Sequence, residues 1–335
     1  MLIKRRQPVN LNPIHASIFE VVSGIELPEP SFEIHNWAVL LKNGILFTIT
    51  GVKNQSLLYN VRLKEIGGYN LILKMLIKES LKMRFKFFKN DKVHVATAIN
   101  EWSNNYFHWF TEVLPRIYFL KTQIPEFSIL IPSNYIADFQ LTSLKLLNVP
   151  FIYFEGMAIL RKIYLPGRQA PYSAHYNPKF IKELATKIKS RIDLSFDQGP
   201  YIYITRRKAQ IRKILNENEV LKILKDFSFC IIEFESLNFM QQVSIAHNAK
   251  VLMGMHGAGL TNMMFCNPET CIYEFSLEGE YMDKCYYTLA DACDLKYYYQ
   301  FCSSAKNNAV YQIADLFVDV NILKINLENL LKKNN

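Results

Sequence analysis

Short apolar runs separated by stretches of helical spacing dominate the second half of the chain. Each run has five or six residues, the length of a buried strand, and they cover 201–205, 229–234, 251–255 and 271–275. Apolar residues recur at helical spacing over 178–191, 217–227 and 236–248, and 314–333 has the pattern of one amphipathic helix. Strands that alternate with helices predict an α/β fold with a parallel sheet.

The first half begins differently. Residues 37–41 and 45–50 are apolar runs joined by Lys42-Asn43-Gly44, and Asn-Gly between such runs strongly predicts a β-hairpin. Apolar runs then alternate with a helical stretch from 127 to 166, as in a βαβ unit. The stretch 167–178 has two prolines and few aliphatic residues, so we interpret it as a linker. The predicted domains are 1–170, with a β-rich start, and 171–335.

Composition supports two domains, because 335 residues exceed one ordinary core. The net charge of +9 suggests an anionic partner. Six cysteines without a C-x-x-C pair indicate free thiols of a reducing compartment. The N-terminus lacks the apolar core of a signal peptide, and the uncharged run 251–268 contains groups that lipid would leave unsatisfied. A cytoplasmic location is therefore expected.

A basic helix is predicted over 69–92. Lys74, Lys78 and Lys82 recur every four residues beside an apolar complement. Such a helix can lie on an anionic membrane surface. A solvated helix face over a core is the commoner reason for this pattern, and we favour it.

A polar stripe occurs on the helix predicted at 105–116. At 3.6 residues per turn one face carries Asn105, His108, Trp109, Glu112 and Arg116. Apolar residues cover most of the remaining surface, which indicates that the stripe faces a cleft. His108 and Glu112 are candidate general bases, although they could simply pair with each other. Pro115 should kink this helix or end its regular part.

Two further polar groups lie at the ends of predicted strands. Arg206, Arg207 and Arg212 follow 201–205, where α/β sheets bind ligands and where arginine suits phosphate oxygens. Asn216 and Glu219 predict a capping box for the next helix. After 251–255 comes a glycine-bearing turn and a helix start, comprising His256, Gly257, Ala258, Gly259, Leu260, Thr261 and Asn262. Free backbone N–H groups and a helix dipole would attract an anion there.

The strand predicted at 271–275 carries one carboxylate, Glu274, and 281–301 is rich in tyrosines. The tyrosines could stack on a base or a sugar, or form a packed edge. These features together suggest transfer of a group from a nucleotide donor. The chain has no D-x-D pair, no P-loop motif and no second histidine at zinc-ligand spacing from His256, so no metal or cofactor is indicated beyond a nucleotide-sugar donor.

The segments NYFHWFTEVLPR, ITRRKAQIRKILNENE and QQVSIAHNAKVLMGMHGAGLTNMMF together resemble the motif set of glycosyltransferase family 61. That family includes bacterial capsule proteins, plant xylan-modifying transferases and animal O-linked N-acetylglucosamine transferases. The resemblance implies a GT-B architecture, with two Rossmann-like domains facing across a cleft, and inverting transfer from a nucleotide sugar. The N-terminal domain would be the acceptor side and the C-terminal domain the donor side.

The resemblance also implies roles for particular residues. Arg206, Arg207, Arg212 and the 256–262 turn would bind the donor, and Glu274 would hold a ribose. The implied cleft residues are Asn105, Trp109, Arg116, Asn216 and Gln242. Gln241 departs from the family pattern, which has glutamate there.

The residues leave open whether His108 or Glu112 is the base. Glu112 is favoured if its apolar neighbours desolvate it. The expected partners are a nucleotide sugar and a glycan or lipid-linked acceptor, the latter with peripheral contact at the inner membrane face. A capsule or cell-surface polysaccharide is the expected product. A non-catalytic protein that binds sugar nucleotides or polysaccharides is the alternative, and nucleic-acid binding is disfavoured because the basic residues cluster instead of forming one stripe.

Overall fold

The computed structural model describes residues 2–49, 51–54, 74, 77–78, 85–88, 93–170, 174–278, 284–304 and 314–332. The chain divides into two compact units, which we call the middle unit, Leu27–Ser173, and the terminal unit, in which Met1–Glu26 join Ala174–Asn335. The first 26 residues therefore group with the C-terminal part, although the sequence places them in a domain spanning 1–170.

The N-terminal segment packs on the C-terminal part through specific contacts. Its elements are β1 (Leu2–Ile3), α1 (Ala16–Glu20) and β2 (Ile25–Glu26). The buried Arg5 pairs with Asp291 at 3.3 Å. Asn10 donates to the carbonyl of Tyr299 at 2.7 Å and accepts from its N–H at 3.1 Å, as a neighbouring strand would. Phe19 is fully buried against aromatic rings. A buried ion pair and a buried phenylalanine fix this segment in the terminal unit.

The middle unit contains one mixed sheet. Its strands are β3 (Phe32–Leu41), β4 (Ile45–Thr48), β5 (Gly51–Asn54), β6 (Phe85–Phe88), β7 (His94–Ala96), β8 (Phe127–Pro132), β9 (Phe151–Phe154) and β10 (Met157–Pro166). The order is β5-β4-β3-β10-β7-β8-β9, with β6 also on β10. The predicted hairpin is confirmed as β3–β4, with Gly44 at φ +83° in its turn.

The helices of the middle unit follow β7 and β8. We denote as α2 the run Tyr106–His108, Trp109–Val113 and Leu114–Gln123, whose central part is a π-helix, and as α3 the helix Asp138–Leu146. The helix α3 joins the parallel strands β8 and β9, which confirms the predicted βαβ unit. Pro115 lies just after the π turn and α2 continues beyond it to Gln123, because a proline is tolerated where a helical segment begins.

The terminal unit has a second sheet of Rossmann-like form. Its strands are β11 (Tyr201–Ile204), β12 (Cys230–Ile232), β13 (Val251–Met255), β14 (Cys271–Leu277), β15 (Lys296–Ser304) and β16 (Leu316–Phe317). The order is β12-β11-β13-β14-β15-β16, and all neighbours are parallel except β15 and β16. The predicted parallel α/β sheet is confirmed.

The remaining helices are α4 (Pro178–Lys189), α5 (Glu217–Asp226), α6 (Phe239–Asn248), α7 (Cys285–Ala292) and α8 (Val320–Lys332). The single helix predicted over 314–333 is wrong at its start. The backbone of Leu316 bonds to Lys213 and Leu215, each at 2.8 Å, so this stretch forms the edge strand β16 instead. The helix predicted from Leu260 is a 3₁₀ helix, Ala258–Phe265.

Candidate functional site

The C-terminal ends of β11 and β13 bring the predicted arginines and the glycine turn together. In the sheet β11 lies between β12 and β13, so the connections that leave β11 and β13 run in opposite directions. Ligands of open α/β sheets bind in the crevice at such a reversal. Arg206 follows β11 by two residues and His256 follows β13 directly.

Gly257 is needed because the guanidinium of Arg206 occupies the space of a side chain. A Cβ on residue 257 would stand 2.4 Å from Nη1 of Arg206. The φ of Gly257 is 171°, which any residue adopts, so the requirement is for space. Arg206 also donates from Nε to the carbonyl of Arg212 at 3.0 Å and from Nη2 to that of Ile211 at 3.3 Å. The guanidinium is thus held between the glycine turn and the 206–212 loop.

Arg206 and Arg212 form a pair of like charges. Burial lowers the pKa of Arg206, and the charge of Arg212 lowers it further. Arg212 has φ +59°, and its Nε is buried without a hydrogen-bond partner among the described residues. Backbone strain and an unpaired donor are costly unless a ligand uses them. An anion between the two guanidinium groups would relieve their repulsion.

Arg207 lies apart from this pair. Its side chain is 57% exposed, and its Nε is 3.9 Å from Oε2 of Glu217. The other oxygen of Glu217 accepts from the hydroxyl groups of Tyr203 at 2.9 Å and Thr205 at 2.6 Å. Of the three arginines predicted to bind the donor, two converge and the third faces a carboxylate.

Glu274 is fully buried and holds His256. Its Oε1 accepts from Nδ1 of His256 at 2.5 Å, and its Oε2 accepts from the hydroxyl of Tyr297 at 2.6 Å. Burial and the Glu274 charge raise the pKa of Tyr297, so the phenol keeps its proton and donates. The ring of Tyr286 packs edge-on against His256 with centroids 4.8 Å apart. Glu274 therefore contacts His256 and Tyr297 and has no exposed surface for the ribose contact that the resemblance implies.

The tyrosines of the 281–301 stretch form the packed edge that was one of the two predicted alternatives. Residues 281–283 lie outside the described part of the chain. The side chains that are at most 4% exposed are those of Tyr286, Tyr287, Tyr297, Tyr298 and Tyr299.

The rest of the 256–262 turn is fixed by packing and amide contacts. A Cβ on Gly259 would lie 3.1 Å from Cγ2 of Ile204, so this glycine lets the turn sit over β11. Asn262 donates to the carbonyl of Gly259 at 3.1 Å and to Oε1 of Gln242 at 3.3 Å. Leu260 and Thr261 are buried, whereas Ala258 is partly exposed. The amide contacts of Gln242 and Asn262 therefore hold the turn in place.

Asn216 and Gln241 lie at the starts of α5 and α6, and only the contact of Asn216 differs from the prediction. Asn216 makes no capping bond; its amide instead donates to the carbonyl of Val318 at 2.8 Å and accepts from its N–H at 3.0 Å. The capping box predicted there is wrong, because a buried amide can satisfy two backbone groups at once. Gln241 forms a capping box with Asn238 at the start of α6. A glutamine serves that role as well as a glutamate, which accounts for its departure from the family pattern.

His108 and Glu112 form a second histidine–carboxylate pair, in the middle unit. Nδ1 of His108 lies 2.9 Å from Oε1 of Glu112, and the side chains are 17% and 21% exposed. The amide of Asn100 donates to Oε2 of Glu112 at 3.1 Å. The contact with Glu112 is made through Nδ1, so Nε2 is the ring nitrogen of His108 that Glu112 does not engage.

The pKa of Glu112 reflects opposing effects. Burial raises it, but the hydrogen bond and charge of His108, the charge of Arg116 and the Asn100 amide together hold the pKa below its ordinary value. The desolvation expected from the apolar neighbours is present and is outweighed. Glu112 therefore stays ionised near neutral pH, and an ionised carboxylate requires the proton of His108 on Nδ1.

The other residues of the predicted stripe do not share one open face. Asn105 caps α2 by accepting from the N–H of Phe107 at 2.9 Å. Trp109 is fully buried and donates to Ser143 at 3.0 Å. Arg116 is 2% exposed and donates to the carbonyl of Glu112 at 2.8 Å. Burial lowers the pKa of Arg116 to about 10, although the charge of Glu112 opposes this. The π turn changes the period of 3.6 residues that placed these side chains together.

The sequence reasoning missed Asn100, Ser103 and Arg168. Ser103 bonds to Asn100 and so orients the amide that reaches Glu112. Burial lowers the pKa of Arg168, and Glu112 and Glu101 raise it, so Arg168 stands within the field of both carboxylates. The signal that could have pointed to Asn100 is its position shortly after a parallel strand. That strand, β7, has only three residues, so its sequence pattern is weak.

Within the described ranges, no group of three or more histidine, cysteine, aspartate or glutamate side chains is placed to hold a metal ion. In the same part of the chain no helix is long and apolar enough to cross a membrane. The basic helix predicted over 69–92 lies mostly outside the described residues. Of the described ones, Lys74, Ile77 and Lys78 are helical and exposed. The prediction is wrong towards its end, because Phe85–Phe88 pair with β10 as the strand β6. All six cysteines are free thiols, as predicted, and five of them are buried.

Comparison with known proteins gives one family. The profile of Glycosyltransferase 61 matches residues 106–273. The chain is 35% identical over 124 residues to EGF domain-specific O-linked N-acetylglucosamine transferase of Bos taurus, covering 34% of this chain and 23% of that protein. It is 36% identical over 125 residues to the Canis lupus familiaris protein of that name, with the same coverage, and 35% identical over 99 residues to the Drosophila melanogaster one, covering 28% and 18%. The match spans less than a quarter of the length of these relatives.

Proposed function

Because the chain belongs to glycosyltransferase family 61, we propose that it moves a sugar from a nucleotide-sugar donor to a hydroxyl group of a glycan acceptor. The observation that carries this proposal is the guanidinium of Arg206 locked against Gly257, beside His256, at the reversal point of a Rossmann-like sheet. A site of this kind suits a pyrophosphate.

The terminal unit is the donor side of this proposal. Arg206 and Arg212 neutralise the diphosphate, and the N–H groups that begin the Ala258–Phe265 helix bind its oxygens. Glu274 and Tyr297 fix the ring of His256 so that it faces the same ligand. Two guanidinium groups can neutralise the leaving diphosphate, so we propose that transfer continues in the presence of EDTA.

The middle unit supplies the base. The sequence favours Glu112, but a carboxylate with a lowered pKa is a weak base. We therefore assign proton removal to Nε2 of His108, with Glu112 holding the opposite nitrogen protonated and stabilising the imidazolium that forms. The acceptor oxygen bonds to C1 of the sugar as the bond from C1 to the diphosphate oxygen breaks. The acceptor proton goes to Nε2, and the diphosphate leaves with the electron pair of the broken bond.

A single displacement inverts the configuration at C1, and we propose the GT-B arrangement of donor and acceptor sides for it. We further propose a cytoplasmic protein of capsule or cell-surface polysaccharide synthesis. Peripheral contact with the inner membrane face would serve a lipid-linked acceptor. Flotation with anionic vesicles at low salt tests that contact, and an absence of binding contradicts it. The relatives are named for EGF domains, so a protein acceptor is the competing assignment.

The test is turnover of a panel of UDP-, GDP-, ADP- and dTDP-sugars with a glycan array and an EGF-domain acceptor. Release of nucleoside diphosphate and the anomeric configuration of the product are measured. We expect one donor to be consumed with inversion, with and without EDTA. Retention of configuration would refute the single displacement.

Variants separate catalysis from binding. His108→Asn should reduce kcat by roughly 10²- to 10⁴-fold while leaving the donor Kd nearly unchanged. Arg206→Lys should raise the donor Kd more than Arg207→Lys, because only Arg206 lies at the glycine turn. If a nucleotide sugar binds but no combination of donor and acceptor is turned over, the non-catalytic alternative is favoured. Equal kcat in the wild type and in His108→Asn would refute the assignment of His108 as the base.

A further inference from the structure

Trp102 is a large apolar side chain that is half exposed beside the proposed base. It is 50% exposed, and its ring centroid lies 5.9 Å from that of His108 with an interplanar angle of 30°. Of the other two tryptophans, Trp109 is fully buried, whereas Trp37, on β3, is 57% exposed and so offers a control of similar exposure. The family profile begins at residue 106, so Trp102 lies outside the matched region.

The backbone around Trp102 is fixed to the histidine–carboxylate pair. The N–H of Trp102 donates to Oδ1 of Asn100 at 2.9 Å, and its carbonyl accepts from the N–H of Asn105 at 2.9 Å. The amide nitrogen of the same Asn100 donates to Glu112. One asparagine therefore sets both the turn that presents the indole and the carboxylate that orients His108. A rigid platform of this kind loses little freedom when a ligand covers it.

The chemistry of the surroundings selects the ligand. A pyranose ring has an apolar face of C–H groups and a rim of hydroxyls, so it fits a flat aromatic surface bordered by polar groups. Exposed Glu101 and Asn104 border Trp102 in the same turn. An apolar peptide side chain would leave that polar border unused. A nucleobase also stacks on tryptophan, but the proposed function assigns the nucleotide to the terminal unit.

On the basis of the proposed function, we infer that Trp102 is the platform on which a pyranose ring of the acceptor stacks. The stacked ring presents its hydroxyl to Nε2 of His108. Trp102 thus selects acceptors that have a cyclic sugar with one open C–H face next to the reacting hydroxyl.

Saturation-transfer NMR on the full chain tests the platform directly. The probes are methyl β-D-glucopyranoside, methyl β-D-galactopyranoside and methyl α-D-mannopyranoside, compared with sorbitol, galactitol and mannitol, which have hydroxyls but no ring face. We expect transfer to the ring C–H protons of at least one pyranoside in wild type and in the matched control Trp37→Ala. The signal should be lost in Trp102→Ala and Trp102→Leu and partly kept in Trp102→Phe, which retains a flat ring. Because half of the Trp102 side chain is buried, Trp102→Ala and Trp102→Leu should lower the Tm more than Trp102→Phe, and all three Tm values should stay above the temperature of the NMR measurement.

A kinetic measurement separates this inference from the proposed function. With the acceptor found by the transfer assay, Trp102→Ala should raise the acceptor KM about 5- to 20-fold and leave the donor KM unchanged. If Trp102→Ala turns over with an unchanged acceptor KM, the stacking role of Trp102 is refuted and the transferase activity still stands. If pyranosides bind at Trp102 but no nucleotide sugar is consumed, the proposed transferase activity is refuted and Trp102 belongs to a sugar-binding site. Equal signals from the open-chain polyols, or transfer to uridine that is lost with Trp102, overturn the assignment to a pyranose.

Discussion

Replacing Gly257 with alanine should displace Arg206 without unfolding the terminal unit. The new Cβ would lie 2.4 Å from Nη1 of Arg206, whereas an ordinary contact between such atoms is near 3.5 Å, so the guanidinium must move by about 1 Å. The atom that must move is the end of a flexible side chain. The φ of residue 257 is 171°, which alanine adopts without strain.

The expected magnitude follows from the contacts that are lost. Arg206 would give up its bonds to the carbonyls of Arg212 and Ile211, which now stand at 3.0 and 3.3 Å. A guanidinium displaced in this way would also lose a hydrogen bond to the donor diphosphate, and because such a bond from a charged group contributes about 1.5–3 kcal/mol, the Kd for the donor should rise roughly 10- to 150-fold. The free energy of unfolding should fall by about 1–3 kcal/mol, because the lost carbonyl bonds destabilise the fold and the smaller chain entropy of alanine in the unfolded state offsets only part of this.

The assay is isothermal titration with the nucleoside diphosphate that stabilises the wild-type protein most. Gly254→Ala is the matched control, because a Cβ there would meet its nearest neighbours at 3.5 Å, an ordinary contact. We expect wild-type affinity in Gly254→Ala and the loss only in Gly257→Ala. An unchanged Kd in Gly257→Ala, or an equal loss in both variants, would refute the steric reasoning.

Three further outcomes are expected. Tyr297→Phe removes the hydroxyl that bonds to Glu274 and should raise the Kd for the nucleotide-sugar donor about 5- to 20-fold. Tyr287→Phe loses a bond to a backbone carbonyl and should lower only the Tm. Equal affinity of the two variants for the nucleotide sugar would contradict the support of His256 by Glu274. Asn216→Ala leaves two backbone groups unpaired and should lower the free energy of unfolding by about 1–3 kcal/mol in urea titration, so an unchanged midpoint would count against it. The pKa of Glu112 is lower in the folded than in the unfolded protein, so its carboxylate stabilises the fold at pH above its unfolded pKa of about 4.3. This stability is lost as the pH falls through the folded pKa. Glu112→Gln should therefore make the Tm depend less on pH in the acid range.

Local pattern was sufficient for the elements of the fold. The strand Val251–Met255 was predicted at its observed bounds, and the hairpin at Gly44 follows from residues adjacent in the chain. The positions of Arg206 and His256 at strand ends also follow from local order. Each of these features depends on neighbours within a few residues, where periodicity and turn propensity act.

Contacts between distant residues determined the rest. Arg5 contacts the carbonyl of Thr288, 283 residues away, and such a pairing leaves no periodic trace in either segment. The π turn in α2 likewise removed Trp109 and Arg116 from the stripe that a regular helix predicts.

By itself the sequence determined which residues could carry the chemistry and on which elements they lie. Only the tertiary structure decided that Arg206 fills the space at Gly257, that Glu274 is buried beneath His256, and that Glu112 is stabilised as an anion. The physical reason is that space, burial and charge pairing are properties of atoms brought together from separate segments, whereas the linear pattern records only the periodicity of each segment.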